Sequence, residues 1–187
     1  AAHEMTFPCL RAGRVARETH HALLFQRTMI LDALLDAREA RLPVPDRVLA
    51  EEGLAILRAK HRFVRGEWSY VPEVEELPPD ADDLAVVVSV LHRLGGPDLA
   101  STCDEAIRLV LDAARPDGGF LTWVLDPRGR AAADQRVDAY LLVVNGWGVH
   151  PEGVANLTAA LIRYNPHRFR EPPPDVVPYA DTKDAYC

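Results

Sequence analysis

What is scarce in this sequence narrows the field first. Cysteine occurs only three times in 187 residues, at Cys9, Cys103 and Cys187. The three are far apart and odd in number, and no Cys-x-x-Cys pair exists, so neither a disulfide framework nor a zinc knuckle is suggested. A reducing cytoplasm is the expected compartment. Positive charge is also short: 21 Lys and Arg stand against 28 Asp and Glu, a formal net charge of −7. Nucleic acid and anionic lipid both call for a cationic surface, so neither is an expected partner. Long apolar runs are missing. Stretches such as 84–88 and 139–144 fall far short of the about 20 residues a membrane-spanning helix needs, so no transmembrane segment is expected. No charged-then-apolar signal follows Ala1-Ala2-His3. No serine stands in a nucleophile elbow, and no glycine-rich phosphate loop is visible. His61, His92, His150 and His167 are scattered, with no Cys or His at ligand spacing, so no metal is expected.

What is present is helix. Apolar residues make up 48% and charged residues 26%, the balance of an ordinary globular domain. Helical periodicity dominates and strand alternation is nearly absent. The first helix is predicted over 12–40, with Leu24, Thr28, Leu31 and Leu35 on one face and Leu23, Ile30 and Leu34 widening it. So broad a stripe marks a buried helix. Arg11, Arg14 and Arg17 recur every third residue near its start, beside His20-His21. They form one cationic edge, either solvated or set to meet a diphosphate. Pro43 and Pro45 close the connection to a second helix over 46–61. A third, over 81–94, is apolar on most sides and stopped by Gly95-Gly96-Pro97. The fourth, over 99–114, sets Cys103, Ala106, Ile107, Val110 and Leu111 against Asp104, Glu105, Arg108 and Asp112. An apolar fifth helix is predicted over 137–147 and an amphipathic sixth over 152–164. Irregular stretches fill 63–79 and 115–136, and 165–187 reads as an extended, proline-rich tail.

The segments have a rhythm. A buried helix, an amphipathic helix and a loop carrying Gly and Trp recur, once around Trp68 and again around Trp123. Such a repeat implies stacked helix hairpins, inner helices covered on all sides and outer ones showing a face to water. The predicted fold is all-α: a single domain over 1–187 made of about three helix pairs.

The loops carry a family resemblance. Gly66-Glu67-Trp68 and Asp117-Gly118-Gly119-Phe120-Leu121-Thr122-Trp123, each after an apolar helical segment, are similar to the turns that close repeats in squalene-type cyclases, other class II terpene cyclases and protein prenyltransferase β subunits. The Gln usual before such turns is absent; Lys60-His61 and Ala114-Arg115 stand there. Pro79-Asp80-Ala81-Asp82-Asp83-Leu84-Ala85 resembles the Asp-x-Asp-Asp-Thr-Ala motif of class II cyclases, with Leu84 in place of Thr. The likeness covers roughly 45–165. It implies part of an α/α toroid and a hydrophobic isoprenoid substrate. The implied reaction is an acid-initiated cyclisation that needs no metal or redox cofactor, with Asp82 as the proton donor. Closed toroids of this family use more helix pairs than three, so further chain or a second copy would complete the ring. A zinc-dependent prenyl transfer site needs Asp-x-Cys, which is absent.

Each candidate residue also has a plainer reading. Asp80, Asp82 and Asp83 suit a general acid, because neighbouring carboxylates and a dry pocket both favour the protonated form. They equally suit a helix start after Pro78-Pro79. Trp68, Tyr70, Phe120 and Trp123 either line a cavity whose aromatic faces stabilise a carbocation or pin each turn to the next hairpin. Asp126, Asp134 and Asp138 read as groups at a helix start, with a spacing that fits no metal loop. The alternative function is a non-catalytic toroid-type module that binds a lipid, a peptide or a partner protein.

Overall fold

The computed structural model describes residues 4–11, 14–60, 67–74, 77–95, 99–112, 114, 119–124 and 150–169. These residues are mostly helical. The chain opens with a hairpin of β1 (Glu4–Arg11) and β2 (Arg14–His21), followed by α1 (Leu24–Glu39), α2 (Asp46–Arg58), α3 (Ala81–Leu94), α4 (Leu99–Asp112) and α5 (Pro151–Tyr164). The fifth helix predicted over 137–147 and the tail beyond 169 lie outside the described residues.

The central element is α3. Pro78 and Pro79 precede it, and Asp80, in extended backbone (φ −125°, ψ 160°), starts the helix. Its carboxylate accepts the Asp83 backbone N–H at 2.6 Å, one of the donors that a helix start leaves unpaired. At the other end Gly95 takes φ +70°, a left-handed conformation in which glycine carries no Cβ penalty. Between them Leu84, Ala85, Val87, Val88, Val90 and Leu91 are buried, so most of the helix meets the core, while Val86, Ser89 and His92 mark a less covered side. It packs most extensively on α5, then on α1, and more lightly on α2 and α4. The main core gathers Leu31, Leu35, Ile56, Trp68, Leu84, Val88, Ile107 and Leu157 from all five helices and the Trp68 loop.

The N-terminal segment corrects the helix predicted over 12–40. That helix begins only at Leu24; residues 14–21 pair antiparallel with 4–11, Cys9 opposite Ala16 and Thr6 opposite Thr19. The physical reason lies in which face turns inward. Along β2 the half-buried positions are Ala16, Glu18 and His20, so the period of two carries no hydrophobic signal and the hydrogen bonds come from a partner strand. Arg14 and Arg17, three apart on a strand, fall on opposite faces, so the predicted cationic edge does not form. A smaller core of Cys9, Ala22, Val71, Val74 and Leu77 seats the hairpin beside the 67–77 loop, with Tyr70 and Trp123 packed against it. No described helix is long and apolar enough to cross a membrane.

Candidate functional site

A groove of about 920 Å³ runs between α1, α3 and α5. Its apolar lining includes Phe25 and Met29 from α1, Val86 and Val90 from α3, and Ala159 from α5. Neither α2 nor α4 contributes to it. One end is strongly charged. Arg93 of α3 reaches across to α1, pairing with Asp32, with Asp36 at 2.6 Å and with Glu39 at 2.9 Å. Burial works against this guanidinium's charge, but hydrogen bonds to Glu39, Asp36 and Asp32 outweigh it and hold the pKa above the ordinary Arg value.

Asp82 lies in the first turn of α3. Asn156 of α5, which lines the groove, donates its side-chain amide to Asp82 Oδ1 at 3.1 Å. Gly153 makes the approach possible: a Cβ there would stand 3.3 Å from Asp82 Oδ2. The side chain is half-buried at the junction of α3 and α5.

The flanking acids face inward. Asp83 is 1% exposed, and its Oδ2 has no hydrogen-bond partner. Burial first, then the nearby charges of Asp80 and Asp82, pushes its carboxyl well above the usual range; the Tyr70 backbone amide works the other way. Asp80, which keeps some contact with solvent, is pushed up to about 7, by burial before all else, against the Asp83 and Asp82 backbone amides. A third acid joins them from the preceding loop. Glu67 is fully buried and, among the described residues, neither carboxyl oxygen makes a well-formed hydrogen bond; burial lifts it to about 8, partly offset by the nearby Trp68 amide and the Lys60 charge. Of the four, Asp82 is the one linked to the groove.

The four predicted aromatics do not line the groove. Trp68 is fully buried; its indole N–H donates to the Ile56 carbonyl at 2.9 Å, and Lys60 Nζ lies 4.5 Å from the ring centroid. Phe120 sits in the main core and borders a separate cavity of about 140 Å³ with Leu161 and Phe169. Tyr70 accepts a hydrogen bond from Gln26 Nε2 at 2.5 Å. Trp123 belongs to a strip that returns to the head of α3: Ala81 N–H donates to the Thr122 carbonyl and Val124 N–H to the Pro79 carbonyl, both at 2.8 Å. Trp68 and Phe120 belong to the main core, and Tyr70 and Trp123 pack against the smaller one. Sequence reasoning missed Glu67, Asn156 and Arg93. The only available signals were Glu67's place between Gly66 and Trp68 and the small Gly153 one turn before Asn156.

Comparison with known proteins returns no matching family model, no matching curated protein and no matching solved structure.

Proposed function

We propose that the chain is a terpenoid-cyclase-like helical module whose groove takes an isoprenoid and whose Asp82 delivers the initiating proton. The observation that carries this reading is the crowding of three carboxyls at the head of α3, two of them biased toward the protonated form and the third tied to the groove through Asn156. Three carboxyls in one helical turn cannot all ionise without mutual repulsion. Burial biases Asp83 and Asp80 toward the protonated form, so they place a neutral, acidic surround behind Asp82. Asp82 then passes its proton to a terminal alkene or epoxide in the groove. Its O–H bond breaks, the new C–H or O–H bond forms on the substrate, and the carboxylate left behind recovers a proton from its neighbours or from water. Val86, Val90, Phe25 and Met29 supply the apolar contact an isoprenoid chain requires. On this reading α1 and α3 are inner helices of a toroid-type fold.

One observation favours a second reading, that of a binding module. A carbocation is sheltered by aromatic faces, and Phe25 is the single Phe, Tyr or Trp among the described groove residues, while Arg93 with Asp32, Asp36 and Glu39 fills one end with charge. Incubation with linear polyprenes, their epoxides and prenyl diphosphates separates the two. Cyclised product from the wild type that disappears in Asp82→Asn supports the first. Saturable binding of an isoprenoid with no product supports the second.

A further inference from the structure

The hairpin brings together residues that no spacing in the sequence joins. Cys9 on β1 stands opposite Ala16, and Ala16, Glu18 and His20 alternate along β2, so all four share one face of the sheet. On that face Cys9 Sγ lies 3.9 Å from His20 Nε2, and Glu18 Oε2 lies 3.2 Å from the same nitrogen. The three donor atoms fall within 4.8 Å of one another.

We infer that Cys9, Glu18 and His20 form a zinc site. Ligands on a tetrahedral zinc, with bonds of about 2.0–2.3 Å, stand roughly 3.3–3.7 Å apart. The sulfur–nitrogen and carboxylate–nitrogen spacings, 3.9 and 3.2 Å, need shifts of a few tenths of an ångström to match, and all three donor atoms lie within 4.8 Å of one another. A nucleophilic Cys–His–Glu relay has a different form. There the imidazole bridges, with one ring nitrogen toward sulfur and the other toward the carboxylate. Here sulfur and carboxylate both approach the same nitrogen, Nε2, so the three donor atoms cluster as ligands of a single ion can. Cys9 is also fully buried, out of reach of a substrate. A thiolate with an imidazole and a carboxylate selects zinc over magnesium or calcium, which prefer all-oxygen sets. Binding converts the Cys9 thiol to thiolate with release of one proton. Water or a further donor supplies the fourth ligand. The site lies outside the groove and does not depend on the proposed cyclase reading. Because Cys9 shares its small core with Val71, Val74 and Leu77, the metal would fix the hairpin against the strip that leads into Pro78, Pro79 and α3.

Cobalt(II) titration of the chelator-treated full chain tests this. One equivalent of cobalt should produce a thiolate-to-metal charge-transfer band, and zinc should displace it and raise Tm. Cys9→Ser should abolish the band, while Cys103→Ser should keep it. Should Cys9→Ser fail to fold, His20→Gln and Glu18→Gln, on the half-exposed strand, carry the test. Each should weaken cobalt binding by more than the roughly 10–100-fold that loss of an outer partner costs, with unchanged far-UV circular dichroism. A wild type without the band, or a band and affinity unchanged in His20→Gln and Glu18→Gln, overturns the site.

Discussion

The Trp68 and Trp123 loops begin from the same sequence pattern and end in different places. Trp68 closes locally. It bridges to Lys60 at the end of α2, and its ring, fully buried, caps the Ile56 carbonyl of the helix just before it. Trp123 closes at long range. It bridges to Asp80, and its strip hydrogen-bonds on both sides of the α3 start while its ring stays half-buried. The first loop therefore adds a buried side chain to its backbone bridge and closes on the helix just before it. The second works through its backbone and fixes the turn that presents Asp80, Asp82 and Asp83. A repeat visible in sequence need not be a repeat in structural role.

Substitution breaks this comparison most sharply at Trp68. Trp68→Ala should cost about 3–5 kcal/mol in urea denaturation, as for other large buried aromatics. Trp123→Ala should cost about 1–2 kcal/mol, since its ring is only half-buried and the backbone bridges remain. Equal losses at the two positions would erase the distinction.

The buried acids, Glu67 in the first loop and Asp83 beside the second, give the next effect. A carboxyl whose folded pKa exceeds its unfolded value binds protons more tightly when folded. Its contribution is fully present below the unfolded pKa and is lost as pH rises through the folded one. For Glu67 that window runs from about 4.5 to about 8. Stability should therefore fall across it, by on the order of a few kcal/mol at most. Asp83 adds to the same slope with the same sign. Glu67→Gln, which keeps the shape without an ionisable proton, should flatten the profile, making the variant more stable than wild type at pH 9 and similar at pH 5. Thermal denaturation across pH reads this directly, and a wild-type profile that rises over the window would refute the buried, proton-holding state.

A smaller effect is expected at the cap. Asp80→Ala removes the acceptor for the Asp83 backbone N–H and should cost about 1 kcal/mol. A neutral result would mean that the Thr122 and Val124 backbone bonds alone set the helix start.

Much of the helical frame was legible because its punctuation is local. Pro78-Pro79-Asp80 and Gly95 bound α3 over 81–94 as read from the chain, and α2, α4 and α5 form where their periods place them, with ends shifted by at most three residues. The hairpin was not legible. Its inward positions on β2 are Ala16, Glu18 and His20, so the pattern that identifies a half-buried strand was missing. The site was legible in part. The acidic turn stands out in sequence. Glu67 reads as a loop surface residue until Trp68 and the α3 start close over it, and Asp82 meets Asn156 only because α3 and α5 pack together. Contacts between residues so distant in sequence leave no mark on local composition.

The central claim is that Asp82 is the proton donor, and one measurement addresses it: product formation from a linear isoprenoid by wild type and Asp82→Asn, with a melting curve recorded on each. Asn preserves the shape and the contact with Asn156 but has no acidic proton. The account predicts cyclised product from the wild type, none from the variant, and closely similar Tm values, since loss of one first-turn charge costs only about 0.3–1 kcal/mol. Equal turnover by the two proteins would contradict it.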